Sequence, residues 1–156
     1  MHRFFYRVVV RDLNGLLGLN SLVCQIHIVS NCCNTNISVL DLSECTRLEQ
    51  LIVGYNSFNC VTEVKLIGLE ELESVVIGSN CFVNKSNRDT TGRFYLKDCP
   101  KLKELKMGRC SFSDYSVIEI ENVNALEVIE MGDLSERSYH FFYASLELKS
   151  ILMLNE

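Results

Sequence analysis

LEQLIVGYNSF, residues 48–58, decides the fold. Leu48, Leu51 and Val53 are followed by Asn56 and Phe58, in steps of 3, 2, 3 and 2. That spacing is too tight for one face of a helix and too uneven for a plain alternating strand. It returns at Leu72, Val75, Ile77, Asn80 and Phe82, and again at Leu102, Leu105, Met107, Cys110 and Phe112. Weaker copies are Val23, Ile26, Ile28, Asn31 and Cys33, and Leu126, Ile129, Met131 and Leu134, with Glu136 where Phe should stand. The copies start at 23, 48, 72, 102 and 126, so they lie 25, 24, 30 and 24 residues apart. Self-similarity at a fixed period near 24 residues marks an array of stacked turns.

A second pattern precedes each copy after the first. Leu40, Leu42 and Cys45 lead to Leu48; Val64, Leu66 and Leu69 lead to Leu72. Phe94, Leu96 and Cys99 lead to Leu102, Ile118, Ile120 and Val123 to Leu126, and Leu146, Leu148 and Ile151 to Leu154. Val8, Val10, Leu13 and Leu16 fit the same pattern, although the junction from Leu16 to Val23 is irregular. The x-h-x-h segments LDL, VKL, FYL, IEI and LEL read as a second short strand per turn. Two strands in about 24 residues leave little room for helix, so two roughly parallel sheets on opposite sides of a flattened coil are expected.

These copies resemble the leucine-rich repeat family, whose hallmark L-x-x-L-x-L-x-x-N/C-x-L stands here as LEQLIVGYNSF, LESVVIGSNCF and LKELKMGRCSF. The likeness covers residues 8–154, most of the chain. The Gly after the strand and the closing Phe are similar to the bacterial-surface, short-repeat type, while that type's Ile-Pro step and Ala-Phe pair are missing. The resemblance implies a β-rich solenoid over residues 1–156, a single domain of five to six repeats whose parallel strands stack in a right-handed coil. It also implies protein recognition, without a cofactor, as the default role.

Within each copy, Leu51 and Val53 alternate inward on a short strand with Ile52 outward between them. Where the strand ends, the turn's amides lack sheet partners, and an Asn side chain offers both a donor and an acceptor. Asn31, Asn56, Asn80 and Cys110 are therefore expected to form a structural ladder, with Phe58, Phe82 and Phe112 stacked beneath as a spine.

The outward residue of each strand forms a regular row, which in a solenoid is a natural binding surface. On the hallmark strand that row is His27, Ile52, Val76, Lys106 and Glu130, with Tyr55 at the strand's end. Adjoining exposed aliphatics can mark a contact site, although β-branched residues suit strands without any partner. The second row is Asp41, Lys65, Tyr95, Glu119 and Glu147, with Asp41 and Lys65 expected as a cross-strand pair. Two turns are longer than the rest. VNKSNRDTTGR, 83–93, is polar loop; ERSYHFFYAS, 136–145, gathers Tyr139, Phe141, Phe142 and Tyr143, an alternative aromatic anchor.

Composition narrows the partners. Lys+Arg 15 against Asp+Glu 20 gives a net charge of −5, so there is no basic surplus for a phosphate backbone and nucleic acid is not an expected partner. Residues 13–40 carry no Asp, Glu, Lys or Arg, but Asn14, Asn20, Gln25, His27 and Asn31 argue against a membrane span. The N-terminus has no good signal-peptide pattern, because Arg7 and Arg11 interrupt its apolar stretch.

The eight cysteines fall in apolar columns rather than in C-x-x-C pairs. Cys24, His27, Cys32 and Cys33 are the sharpest metal set, and packed thiols with an exposed imidazole explain them better. Free thiols point to a reducing, cytoplasmic home; the sequons at Asn36 and Asn84 point to the cell surface and an adhesion role. No nucleophile elbow, P-loop or dinucleotide fingerprint appears, so a non-enzymatic scaffold is expected. Both ends look cut, as in a repeat fragment of a larger receptor or enzyme, and uncapped ends make self-association an expectation.

Overall fold

The computed structural model describes residues 6–84 and 92–132, together with the backbone of a strand at 147–149. The chain is β-rich with little helix, and its strands form two parallel sheets. The first sheet has six strands in the order β1 (Arg7–Val10), β2 (Gln25–Ile28), β4 (Gln50–Val53), β6 (Ser74–Ile77), β8 (Glu104–Met107) and β10 (Val128–Met131). The second has five: β3 (Val39–Asp41), β5 (Glu63–Ile67), β7 (Gly92–Lys97), β9 (Tyr115–Glu121) and β11 (Glu147–Lys149). From β2 onward, successive strands alternate between the sheets, so the chain crosses over and returns one strand further along. The described element outside the sheets is a short helix, α1 (Leu13–Leu17), with Asp12 as its N-cap accepting from the Gly15 N–H at 2.8 Å.

Alternation sets the core. On β2, β4, β6 and β8 the inward pairs are Ile26 and Ile28, Leu51 and Val53, Val75 and Ile77, and Leu105 and Met107, all buried. They meet Leu40, Val64, Leu66, Phe94, Leu96, Ile118 and Ile120 from the second sheet in one continuous apolar core. Each such side chain contributes about 1.5–3 kcal/mol on burial. Cys45, Leu69 and Cys99 recur in the connections that lead back to the first sheet, where Leu48, Leu72 and Leu102 donate to their carbonyls at 2.9–3.2 Å.

The repeats read at Val8 and Val10 need a correction. These residues were expected in the second-sheet pattern, but β1 pairs with β2 in the first sheet, Val8 opposite Ile26 and Val10 opposite Ile28. The irregular junction after them is α1. Two alternating valines satisfy either sheet's pattern, and only the connection that follows distinguishes them.

The turn after each hallmark strand explains the asparagine, and differently from the expectation. Asn31, Asn56, Asn80 and Cys110 adopt φ of 55–60°, as do Cys33, Phe58, Phe82 and Phe112 two residues later. Left-handed backbone is costly for most L-residues but well tolerated by Asn. The asparagine column lies toward the surface: Asn31 and Asn80 are exposed, and Asn56 Nδ2 donates to Asn31 Oδ1 at 2.7 Å. The turn amides bond instead between turns. The Asn31, Asn56 and Asn80 N–H groups donate forward to Tyr55, Ser79 and Arg109 carbonyls at 2.8–2.9 Å. The Phe58, Phe82 and Phe112 N–H groups donate back to Cys32, Ser57 and Cys81 carbonyls at 3.0–3.1 Å.

The buried polar ladder lies one position later, at Cys32, Ser57, Cys81 and Ser111. Ser57 Oγ accepts from the Cys32 N–H at 3.1 Å, and Ser111 Oγ accepts from the Cys81 N–H at 3.3 Å and donates to the Gly78 carbonyl at 2.7 Å. Burying these small groups satisfies backbone that would otherwise be orphaned.

Phe58, Phe82 and Phe112 are fully buried and stack as a spine, with centroids 5.1 and 4.8 Å apart and interplanar angles of 9° and 5°. Their burial and stacking, about 0.5–1.5 kcal/mol per aromatic pair beyond area, offset the left-handed backbone. Glycine ends the strand for steric reasons. A Cβ on Gly54, Gly78 or Gly108 would lie 2.4–2.7 Å from the backbone nitrogen of Ser30, Tyr55 or Ser79 in the preceding turn.

Tyr115 was not foreseen. It opens β9 beside a register shift, lies fully buried across Gly92, and donates its hydroxyl to the Val61 carbonyl at 2.6 Å, two turns away. A Cβ on Gly92 would sit 2.3 Å from the tyrosine ring, so the glycine leaves room for it.

Candidate functional site

Strand register brings the expected row together on the outward side of the first sheet. Val9 faces His27, His27 faces Ile52, Ile52 faces Val76, Val76 faces Lys106, and Lys106 faces Glu130. Ile52, Val76, His27 and Lys106 are half-buried, whereas Val9, Tyr55 and Glu130 are exposed. Val9 belongs to this row but was missed, because β1 had been read into the other sheet. A parallel row at the strand starts is Arg7, Gln25, Gln50, Ser74, Glu104 and Val128.

The row divides in character. Toward β8 and β10 it is neutralised internally: Lys106 Nζ lies 3.7 Å from Glu104 and 3.9 Å from Glu130, and Ser74 Oγ donates to Glu104 Oε1 at 2.7 Å. A shallow groove of about 270 Å³ crosses the strand starts there, lined by Glu73, Ser74, Lys103, Glu104, Glu127 and Val128. Toward β1, β2, β4 and β6 the outward positions carry no carboxylate: one row holds Gln25, Gln50 and Ser74, the other Val9, His27, Ile52 and Val76, and Arg7 reaches His27 Nδ1 at 3.1 Å. Tyr55, 57% exposed, stands at the end of β4.

The outward face of the second sheet is built otherwise. Lys65 stands opposite Asp41 across β3 and β5, as expected, and also pairs with Glu63 at 3.1 Å, while Asp41 accepts from the Ser43 N–H at 2.9 Å. Lys97 bonds Glu119, lies 3.6 Å from Glu121, and sits 5.3 Å over the Tyr95 ring. The hydrogen bond to Glu119 raises the Lys97 pKa above its ordinary value.

Cys24, Cys32, Cys33, Cys45, Cys60, Cys81 and Cys99 stand as free thiols. The set read as a metal candidate is split: Cys24 is turned toward the Leu22 carbonyl, His27 contacts Arg7, and Cys32 and Cys33 are buried with their sulfurs 3.0 Å apart. Burial and the neighbouring Cys32 push the Cys33 thiol up to about 12, and burial pushes Cys81 and Cys99 up to about 11. Protonated, desolvated thiols are poor nucleophiles and poor ligands. Of the two sequon asparagines, Asn36 is exposed and Asn84 is 5% exposed.

The alternative aromatic set, Tyr139, Phe141, Phe142 and Tyr143, lies outside the described residues, as does most of the 83–93 loop. No described helix is long and apolar enough to cross a membrane. No family model, curated protein or solved structure matches the chain.

Proposed function

We propose that this chain is a leucine-rich-repeat solenoid that binds another protein through the outward face of its first sheet. The observation that carries the reading is the contrast between the two faces. Lys65 and Lys97 of the second sheet are satisfied by carboxylates of the same sheet, whereas the first sheet presents Ile52 and Val76 on adjoining strands, with Tyr55 at the end of β4 and Val9 beyond His27. A regular, rigid sheet with an apolar centre and a polar rim suits recognition of a polypeptide. The period near 24 residues, the stacked phenylalanines and the strand-end glycines support the repeat assignment. The role is scaffold-like and non-enzymatic, and the eight thiols favour a reducing, cytoplasmic setting.

The test is a paired capture from source cells. One bait is the native chain and the other carries Ile52→Glu with Val76→Glu, with folding checked by circular dichroism. A captured protein is then purified and titrated against both. Loss of binding in the folded variant supports the reading; equal binding to both baits overturns this face as the site.

A further inference from the structure

Resting on that reading, we infer that the partner presents an acidic and apolar extended segment, with its carboxylate placed over β1. The chain as a whole is acidic, with a net charge of −5. The binding face runs against that sign at one end. Arg7 and Arg11 are exposed at the β1 edge, and among the described residues no carboxylate lies within ion-pair distance of either guanidinium. The outward positions of β1, β2, β4 and β6 include no Asp or Glu at all. His27 is held against Arg7, which fixes the guanidinium over this part of the sheet. A carboxylate arriving there meets a forked donor that is steadied by His27 and engaged by no carboxylate of the described residues, so the bond is charge-assisted and sets orientation as well as affinity.

The sheet also supplies a ruler. Ile52 and Val76 lie two and three strands from β1. At about 4.8 Å per strand the carboxylate and the apolar anchor are separated by roughly 10–15 Å. An extended segment rising about 3.3 Å per residue covers that in about three to five residues. The recognised pattern is therefore Asp or Glu, then a bulky aliphatic or aromatic residue about three to five positions away. Basic segments are disfavoured by Arg7 and Arg11, and uncharged ones lose the orienting contact.

The experiment is selection of a displayed random peptide library on three folded baits: the native chain, Arg7→Glu with Arg11→Glu, and Ile52→Glu with Val76→Glu. The native chain is expected to enrich peptides with that acidic-to-apolar spacing. The arginine variant should reverse the charge preference, and a synthetic enriched peptide should bind it about tenfold more weakly, the loss of about 1.4 kcal/mol expected for one charge-assisted contact. Enrichment that depends on Ile52 and Val76 but shows no acidic bias overturns this inference and leaves the face intact as a binding site. Peptides indifferent to Ile52 and Val76 overturn the face itself, and this inference with it.

Discussion

The two sheets share one core and differ in what they show to solvent. The second sheet pairs two lysines with its own carboxylates, Lys65 with Glu63 and Lys97 with Glu119 and Glu121, and leaves Arg93 exposed. The first does so around Lys106 and leaves the outward positions of β1, β2, β4 and β6 without a carboxylate, with Arg7 and Arg11 at the margin. A face whose charges are already paired gains little by docking, because those pairs must be desolvated or broken. A face with half-buried aliphatics and unanswered cations gains on both counts. The same stacking geometry thus yields two faces of different charge pattern.

That contrast can be broken at several depths. Phe82→Ala removes the middle ring of the spine that both sheets rest on, and should cost about 3–5 kcal/mol in urea unfolding. Both faces would be lost together, which makes it the control for any claim that one face acts alone. Ser57→Ala strands the buried Cys32 N–H and should cost about 1–3 kcal/mol by the same measurement. Asn56→Ala at the neighbouring left-handed position adds backbone strain of about 1–2 kcal/mol to the loss of its side-chain hydrogen bond to Asn31.

The faces themselves should respond weakly in stability. Ile52→Glu with Val76→Glu exchanges strand-favouring residues for a poorer one and should cost about 1 kcal/mol while abolishing partner capture. Lys97→Ala, on the opposite wall, should cost about 0.2–1 kcal/mol, shrink in high salt, and leave capture unchanged.

Much of this was legible in residue spacing. The Leu, Ile and Val columns, the phenylalanine spine and the outward row all follow from counting, because one turn of the array has a nearly constant length. The asparagine's role was not legible. Its side chain offers hydrogen bonds and also tolerates left-handed backbone, and spacing does not say which property is used. The Ser57 and Ser111 column escaped notice because serine and cysteine alternate in it, hiding a shared small, buried position. Tyr115 escaped because its partner, Val61, lies two turns away across a glycine that only the stacked chain brings beneath it. Val9 was missed because β1 carries two alternating valines that read equally well in either sheet.

The most direct measurement is titration of one purified partner against folded variants of the two faces: Ile52→Glu with Val76→Glu on the first sheet, and Lys65→Glu with Tyr95→Glu on the second. Recognition by the first sheet predicts at least about a tenfold loss of affinity for the first pair, about 1.4 kcal/mol, and an unchanged Kd for the second. A loss confined to the Lys65 and Tyr95 variant, or an equal loss in both, would contradict it.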